Sequence, residues 1–446
     1  MLDKWKTWED YATPPEWFAG KEKELHASAA EAVLSKYSPA QLEKSWKWVL
    51  EQLKNSEAED IPDLKMADVA AGKVSQQTIE RAKKAGCFVV RGVVEPSEAR
   101  DLNQSLQTYI ADNKDTISGW PVEEPHIKQL YWTEAQVRLR AHKNHLVLQK
   151  WLNELWEDGQ ESEMTTPLTY ADALRSMPAG ATYPALGPHI DAGSLSRWTD
   201  DSYRDFYDAV FSGEPEKLDL YRLKDRSVCK QDAIPGPAHS SVLRTFQGWT
   251  CLTDVGEKKG GIWFYPRLDL AITYLLLRPF FTEIKSEEEL ANDSGLPTPE
   301  PEAREDKSRD VESAYLSPSN WKFAKPEYFP GTNSINSQML GNKAHPHLEL
   351  QKRLVSIPDL QGGDSVWWHC DGIHAVEPNH TGGPDPAVVV YIASVPTTEK
   401  NVEYLSKQAE SYKARTYPPD FHQTHPEVHG WDKEWVKGGE EAMLLV

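Results

Sequence analysis

The chain has 446 residues, of which 39% are hydrophobic and 26% charged, so it can bury a sizeable core and is not disordered as a whole. Its 69 acidic residues outnumber its 49 basic residues and give a net charge of −20, which disfavours nucleic acid and anionic membranes as partners. The four cysteines are widely spaced and form no Cys-x-x-Cys pair, so neither a zinc–thiolate site nor a disulfide framework is indicated.

The sequence also favours a cytoplasmic location. The N-terminus is charged from the start and lacks the apolar stretch of a secretory signal. The most apolar run, residues 271–281, is interrupted by Arg278 and Pro279 and is far shorter than the ~20 residues of a membrane span. Together with the sparse cysteines, these features predict a protein of a reducing compartment with no membrane partner.

The first 60 residues have the pattern of helices that wrap a core. Ser38, Pro39 and Gln41 combine a capping box with a first-turn proline ahead of an apolar helical face. His142 and His145 lie within another predicted helix and are expected on its surface. Capping signals and periodicity predict helices over about 76–85, from 96 onward, over 133–156 and over 398–412, and a strand over 87–93.

From about residue 168 the pattern changes to short β-branched and aromatic runs separated by Gly, Pro, Asn and Asp. This texture is typical of an antiparallel sandwich or barrel. The stretch 283–313 is rich in Glu, Asp, Ser and Pro, and predicts a solvated insertion. Strands are predicted over 182–186, 241–253, 261–265, 353–357, 365–369 and 387–395.

Histidine and acidic residues at metal-ligand spacing are the first chemical signal. A non-haem iron site needs two imidazoles and one carboxylate on one face of the metal. A His-x-Asp pair at a strand end and a distant His can supply them, because residues i and i+2 of a strand point the same way. The sequence contains four His-x-acid matches, where about two are expected by chance: His189/Asp191, His347/Glu349, His369/Asp371 and His425/Glu427.

Context favours His189 and Asp191 among these pairs. They follow an apolar strand-like segment and precede the small residues 192–194, so both can project from a strand end into a loop. The alternative is that they are two ordinary loop residues, and spacing alone does not separate the two interpretations.

A second segment carries the resemblance to a known family. Within residues 363–379, a Gly-Asp turn containing Asp364 leads into an aromatic strand, His374 follows ten residues after Asp364, and Asn379 follows five residues after His374. This pattern resembles the iron(II)/2-oxoglutarate-dependent dioxygenases, in particular their phytanoyl-CoA-hydroxylase-like and YbiU-like branch. Further blocks similar to that branch occur in the same order at 168–172, 187–198, 244–250, 277–281, 345–348 and 396–399.

The resemblance implies a metal centre and a fold. His189, Asp191 and His374 would bind Fe(II), with 2-oxoglutarate and O2 as cosubstrates. The implied fold is mainly β with flanking helices, a double-stranded β-helix of the jelly-roll or cupin type. The expected organisation is an N-terminal helical wrapping over 1–75 and an oxygenase unit over 76–446, with helices over 76–165, the β-core over about 166–397, the acidic insertion over about 283–313 and a C-terminal helix and tail over 398–446.

Other residues are assigned supporting positions. Asn379, His369 and Trp249 are expected beside the metal ligands without binding the ion, and tryptophans such as Trp249 are more often core than substrate stackers. His369 and Asp371 are the closest competitors as ligands. They precede His374 so closely that they cannot easily close a facial site with it, since two ligands should come from separate strands.

A 2-oxoglutarate site also needs a cation for the far carboxylate, best an arginine with paired donors. Many relatives place it after the distal histidine, but residues 381–390 contain no Arg or Lys. Arg244 is the preferred candidate, with Thr250 on the same strand face by period two. Arg278 and Arg267 are alternatives, and Arg244 can also be read as an ordinary salt-bridge residue.

The functional expectation is oxidation of an unactivated C–H bond of a small polar metabolite or amino acid, giving succinate and CO2. Hydroxylation is the main outcome, with desaturation or cyclisation as variants. Two other classes stay open. One is a cupin-like metal-dependent hydrolase or isomerase that does not use O2, and the other is a non-catalytic small-molecule-binding protein on the same scaffold.

Overall fold

The computed structural model describes residues 11–56, 59–157, 161–182, 186–236, 240–294, 309–421 and 433–436. Its α-helices are α1 Lys21–Leu34, α2 Pro39–Asn55, α3 Met66–Ala70, α4 Gln76–Ala85, α5 Pro96–Asp112, α6 Glu134–Ala141, α7 Lys143–Glu154, α8 Ser196–Thr199, α9 Asp201–Phe206, α10 Asp208–Phe211, α11 Leu223–Ser227, α12 Leu268–Leu277, α13 Glu287–Ser294, α14 Arg309–Tyr315, α15 Leu350–Arg353 and α16 Glu399–Ala414.

The described strands are β1 Asp63–Lys65, β2 Cys87–Arg91, β3 Gly119–Trp120, β4 Ile127–Lys128, β5 Pro167–Leu168, β6 Leu174–Met177, β7 His189–Ile190, β8 Phe246–Cys251, β9 Ile262–Phe264, β10 Phe281–Glu283, β11 Trp321–Phe323, β12 Gln338–Met339, β13 Val355–Ser356, β14 Ser365–His369, β15 His374–Val376, β16 Ala387–Tyr391 and β17 Val395–Pro396. The fold is therefore mixed α/β.

This composition corrects the expectation of a mainly β protein. Helices α8 to α12 fall within the half of the chain that was expected to be strand-rich. Most of the apolar run 271–281 belongs to helix α12, where nearly every side chain is buried. A short, uniformly apolar run does not distinguish a buried helix from a strand by its periodicity, so packing decided the outcome.

Helix α2 forms where the sequence predicts it. Ser38 and Gln41 form the reciprocal capping box, and Pro39 occupies the first helical position. The buried face of α2 packs against α12. Within this interface the ring of Trp46 stacks on that of Tyr274 at a centroid distance of 5.4 Å, and it also stacks on Phe281 of β10 at 4.4 Å. The N-terminal region therefore covers one side of the core.

The predicted helix over 133–156 is interrupted at His142. This residue ends α6 and begins α7, and its side chain accepts a hydrogen bond from the backbone N–H of Asn144. His145 was expected on the surface, but it is fully buried. Its Nε2 lies 2.9 Å from the hydroxyl of Thr250. Tertiary contact with the sheet therefore overrides the surface prediction.

Two sheets position the candidate site. The larger has eight strands in the order β1-β2-β14-β8-β16-β6-β4-β3, and the smaller has five in the order β12-β7-β15-β9-β13. The pairs of the smaller sheet are antiparallel, and so are those of the larger sheet except β1 with β2. Among the described residues the strands form separate sheets rather than a closed barrel, and the pairs β10-β11 and β5-β17 stand apart.

Several predictions fall at the edge of the described chain. Residues 183–185 of the predicted strand 182–186 lie outside it, as do residues 295–308 of the acidic insertion and the pair His425/Glu427. The described ends of the insertion belong to β10, α13 and α14. No helix in the described ranges combines the length and apolar character required to cross a bilayer.

Replacing Ser38 by alanine should lower the free energy of unfolding by about 1 kcal/mol, because the first turn of α2 loses a capping partner. Urea unfolding of the two proteins measures this difference. Ser35→Ala is the matched control, since Ser35 is exposed and bonds only to a carbonyl of its own helix. Equal stability of Ser38→Ala and Ser35→Ala would contradict the assigned cap.

Candidate metal centre

Three side chains with metal-binding donor groups meet where β7 and β15 lie side by side. His189 on β7 is the antiparallel partner of His374 on β15. Asp191 directly follows β7 and lies two residues beyond His189, so both side chains can point to the same side. The pairing of these strands brings two distant stretches of chain to one place.

The spacing of the donor atoms suits a single divalent cation. All three groups offer donors within 4.8 Å of one another. Nε2 of His189 is 3.3 Å from Oδ1 of Asp191, and Nε2 of His374 is 3.5 Å from Oδ2. Donors that bind one ion at right angles, each about 2.1 Å from it, lie roughly 3 Å apart. Two imidazoles and one carboxylate could therefore occupy one face of the ion.

Backbone carbonyls orient both imidazoles. Nδ1 of His189 lies 2.8 Å from the carbonyl oxygen of Gly187, and Nδ1 of His374 lies 3.1 Å from that of Gly372. Because a carbonyl oxygen only accepts, each Nδ1 donates its hydrogen. In the protonated ring Nε2 also donates, to Asp191, and in the neutral ring Nε2 keeps a lone pair that can bind a metal ion. Histidines that bind metal ions are commonly held in this way.

The electrostatics of the three groups favour a bound cation. Burial alone would raise the pKa of Asp191, but hydrogen bonds to both imidazoles hold that pKa well below its usual range. Burial alone would lower the pKa of His189, and the Asp191 carboxylate instead raises it. Burial and the neighbouring His189 lower the pKa of His374. The carboxylate is thus ionised and attracts either a proton or a metal ion to the imidazoles.

The donors open into a cavity of about 380 Å³ between the two sheets. The side chain of Asp191 is 28% exposed but that of His189 only 3%, so the carboxylate is the ligand that faces open space. Arg175, Trp249 and Tyr391 contribute to the wall formed by the larger sheet. A mostly apolar cavity with a few charged groups is typical of a small-molecule site.

Arg244 also lines this cavity. Its Nη1 lies 3.6 Å from Oδ2 of Asp172, and its guanidinium carbon lies 5.4 Å from the centre of the Tyr170 ring. Burial would lower the pKa of Arg244, but these neighbours raise it, whereas burial raises the pKa of Asp172 despite the guanidinium. Arg244 forms no hydrogen bond with another described residue, so its donors are available to a ligand.

The alternative arginines lie elsewhere. Arg278 donates to the carbonyl oxygens of Ala344 and Phe281, and Arg267 pairs with Asp269. Neither is among the described residues that line the cavity. Of the three candidates drawn from the sequence, Arg244 is the one that reaches the cavity.

Arg175 lines the cavity and was missed. It lies on β6, and its guanidinium donates to the carbonyl oxygens of Gly260 and Gly261, so several of its donors are already used. A signal for it existed in the sequence, because Arg175 is a charged residue beside Leu174 and Met177, and the structure buries the arginine together with the rest of this strand. Its proximity to the metal ligands depends on the pairing of β6 with β16.

The structure does not place Thr250 among the described residues that line the cavity. Strand β8 begins only at Phe246, so Arg244 lies outside it and the period of two does not relate the residues. Along β8, Gln247 and Trp249 line the cavity, whereas the Thr250 hydroxyl bonds to His145 of α7. Thr250 therefore points away from the proposed cosubstrate.

His369 is also separate from the cavity. Its ring stacks on that of Trp156 at 4.7 Å, and its Nε2 lies 3.2 Å from the carbonyl oxygen of Leu220. The carboxylate of Asp371 lies between the guanidinium groups of Arg197 and Arg226. These two positive charges already balance its negative charge, so the competing pair of His369 and Asp371 is a poor site for a metal cation.

Of the other two residues predicted beside the metal ligands, one lies at the cavity and one in a loop. Trp249 lines the cavity, whereas Asn379 follows β15, where its backbone N–H donates to the Glu377 carboxylate. Asp420 and Phe421, from the segment after α16, contribute to the cavity wall and had not been expected there. Their position depends on how the C-terminal segment packs, for which the sequence carries no periodic signal.

The fold and site define a mixed α/β protein with a His–Asp–His candidate metal centre between two largely antiparallel sheets. Residues 13–445 match the Gig2-like family, and the chain belongs to that family. The expected relationship to YbiU is confirmed, but the family is Gig2-like rather than phytanoyl-CoA-hydroxylase-like. The uncharacterized protein YbiU of Escherichia coli K12 is 30% identical over 376 residues, which cover 81% of this chain and 78% of YbiU.

Solved structures of other proteins are similar to this chain over nearly its whole length. The GlcNAc Inducible Gene 2 protein, GIG2 (DUF1479), of Candida albicans superposes with a TM-score of 0.77 at 22% identity, covering 97% of this chain and 90% of that one, and shows a shared fold. A Salmonella typhimurium LT2 protein, provisionally described as an oxidoreductase, superposes with a TM-score of 0.72 at 26% identity, covering 97% and 99%.

Proposed function

We propose that the chain is a non-haem iron(II)- and 2-oxoglutarate-dependent oxygenase that acts on a small molecule. The observation that carries this proposal is the convergence of His189, Asp191 and His374 at a cavity, with both imidazoles oriented through Nδ1. Two imidazoles and one carboxylate leave the rest of an octahedral ion open, which suits a chelating cosubstrate and O2.

The strand order supports a double-stranded β-helix around this centre. Strands β6, β8, β14 and β16 are neighbours in the larger sheet, and β7, β9, β13 and β15 are neighbours in the smaller one. Along the chain these eight strands alternate between sheets, except that β9 and β13 are consecutive members of the smaller one. Such alternation is what a chain wound as a jelly roll produces.

Iron(II) would be held by His189, Asp191 and His374. When bound, it would supply the oxidising chemistry that couples conversion of 2-oxoglutarate to succinate and CO2 with oxidation of a substrate C–H bond. The Ser337 hydroxyl, 3.2 Å from Oδ1 of Asp191, donates to the carboxylate and helps to hold it in position.

Other residues would bind the organic ligands and exclude water. The free donors of Arg244 can meet the far carboxylate of 2-oxoglutarate at the cavity wall. Trp368 packs beside His374 with ring centres 4.9 Å apart, and together with Trp249 it keeps the region beside the ligands apolar. A cavity of about 380 Å³ shared with a cosubstrate leaves room for a small substrate only.

Anaerobic titration of the full chain with Fe(II) and then 2-oxoglutarate tests this proposal. We expect a visible metal-to-ligand charge-transfer band that requires both components, followed by succinate formation when O2 is admitted. Metal binding without the band would contradict the proposal and favour a hydrolase or isomerase. Failure to bind Fe(II) would favour a non-catalytic binding protein.

A further inference from the structure

A buried cluster of charged side chains lies behind the metal centre. It contains Asp371, Arg197 and Arg226, each at most 1% exposed, and the hydroxyl of Tyr207, which donates to Oδ2 of Asp371 at 2.8 Å. Arg197 and Arg226 come from α8 and α11, whereas Asp371 lies between β14 and β15. The helical segment that follows Asp191 therefore packs its charges against the segment that precedes His374.

Arg197 contacts three segments around the metal ligands. Its Nη2 lies 3.4 Å from the backbone carbonyl oxygen of Asp191 and 3.3 Å from Oδ1 of Asp371. Its Nη1 lies 3.4 Å from Oε1 of Gln338, on the strand that pairs with β7. A guanidinium can make these contacts together because its donors are fixed in one plane.

The backbone after Asp191 needs such support. Ala192, Gly193 and Ser194 have φ values of 56°, 73° and 32°, so three consecutive residues lie at positive φ. For alanine and serine this conformation is strained and persists only where the surroundings impose it. A Cβ on Gly193 would lie 3.1 Å from the guanidinium carbon of Arg197, so the side chain packs directly against this turn.

We propose that Arg197 is a positioning residue that sets the placement of Asp191 relative to His374, anchored by Asp371. This inference rests on the proposed metal centre. The guanidinium of Arg197 links the backbone carbonyl of Asp191 to Asp371, in the turn before β15. When this link is lost, the strained residues 192–194 can relax, and the Asp191 carboxylate moves away from the imidazoles. The carboxylate is the ligand on the more exposed side of the centre and is the most easily displaced.

Arg226 provides a matched control. It lies 3.4 Å from the same Oδ1 of Asp371 and 3.6 Å from Sγ of Cys370, but it has no hydrogen bond or ion pair with Asp191. Replacing either arginine by lysine keeps a positive charge in the cluster and removes a fork. Both variants therefore lose a guanidinium from the same buried cluster. Only Arg197→Lys also loses a guanidinium that contacts the turn carrying Asp191.

The experiment is a Co(II) titration of the full-length wild type, Arg197→Lys and Arg226→Lys, followed by visible absorption. We expect Arg197→Lys to bind Co(II) roughly 10- to 100-fold more weakly and with a changed spectrum, because altered support of metal ligands typically costs that much affinity. Arg226→Lys should stay within about 3-fold of wild type. Thermal unfolding shows whether the two variants have similar stability.

The outcomes separate this inference from the proposed function. If wild type binds Co(II) and Arg197→Lys binds it equally well, or if both variants weaken binding equally, the positioning role is overturned and the metal centre stands. If wild type does not bind Co(II), both fall. Should Arg197→Lys fail to fold, Asp371→Asn replaces it, since it releases the anchor of Arg197. Unchanged Co(II) affinity in Asp371→Asn would overturn the role equally.

Discussion

Replacement of His374 by alanine is expected to abolish the charge-transfer band and to reduce turnover by roughly 10³-fold or more. The imidazole supplies one of three donors within 4.8 Å, and its loss leaves two ligands for an ion that must contribute several kcal/mol of transition-state stabilisation. Metal content after anaerobic desalting and succinate formation measure the two effects. His189→Ala and Asp191→Ala should behave alike, since all three residues would bind one ion.

His369→Gln is the matched control for this prediction. His369 is another fully buried histidine close in sequence to His374, but it stacks on Trp156 and lies away from the cavity. Its replacement should lower stability through lost packing while the iron-dependent band remains. Full turnover in His374→Ala, or loss of the band in a folded His369→Gln protein, would refute the assigned centre.

Replacement of Arg244 by glutamine is expected to raise the KM for 2-oxoglutarate roughly 10- to 100-fold with a smaller change in kcat. A charge-assisted hydrogen bond to a carboxylate contributes about 1.5–3 kcal/mol, and each 1.4 kcal/mol changes affinity tenfold. Steady-state O2 uptake at varied 2-oxoglutarate measures the change. In the metal-bound protein, the band should likewise need more 2-oxoglutarate to reach half of its intensity.

Thr250→Val provides the comparison, because the two residues were first expected to act together. The Thr250 hydroxyl bonds to His145 on the far side of the strand, so its loss should leave the KM for 2-oxoglutarate unchanged. An unchanged KM in Arg244→Gln would show that another group, with Arg175 the nearest candidate, binds the cosubstrate carboxylate.

Individual helices and strands were predictable where helix capping or hydrophobic periodicity within a few residues determines the structure. The capping box of Ser38 and Gln41, helix α4, strand β14 and the start of α16 at Thr398 all follow from capping or periodicity. These signals depend on contacts within one turn or one strand. Tertiary packing therefore has little opportunity to overrule them.

The spacing and order of short motifs also singled out His189, Asp191 and His374 from the sequence alone. Their proximity, however, depends on the pairing of β7 with β15, and such a contact between distant segments leaves no local pattern. The choice of ligands was therefore a prediction from resemblance, and the distances between donor atoms come from the tertiary structure.

By itself, the sequence determined the acidic composition of the chain, the positions of strongly capped or periodic elements such as α2, α4 and β14, and the candidate ligands. Only the tertiary structure decided that Arg175 and Phe421 reach the cavity, that Thr250 turns away from it and that Arg197 joins Asp371. The physical reason is that strand register and helix packing determine which side chains contact each other. Those choices depend on contacts between segments far apart in the chain.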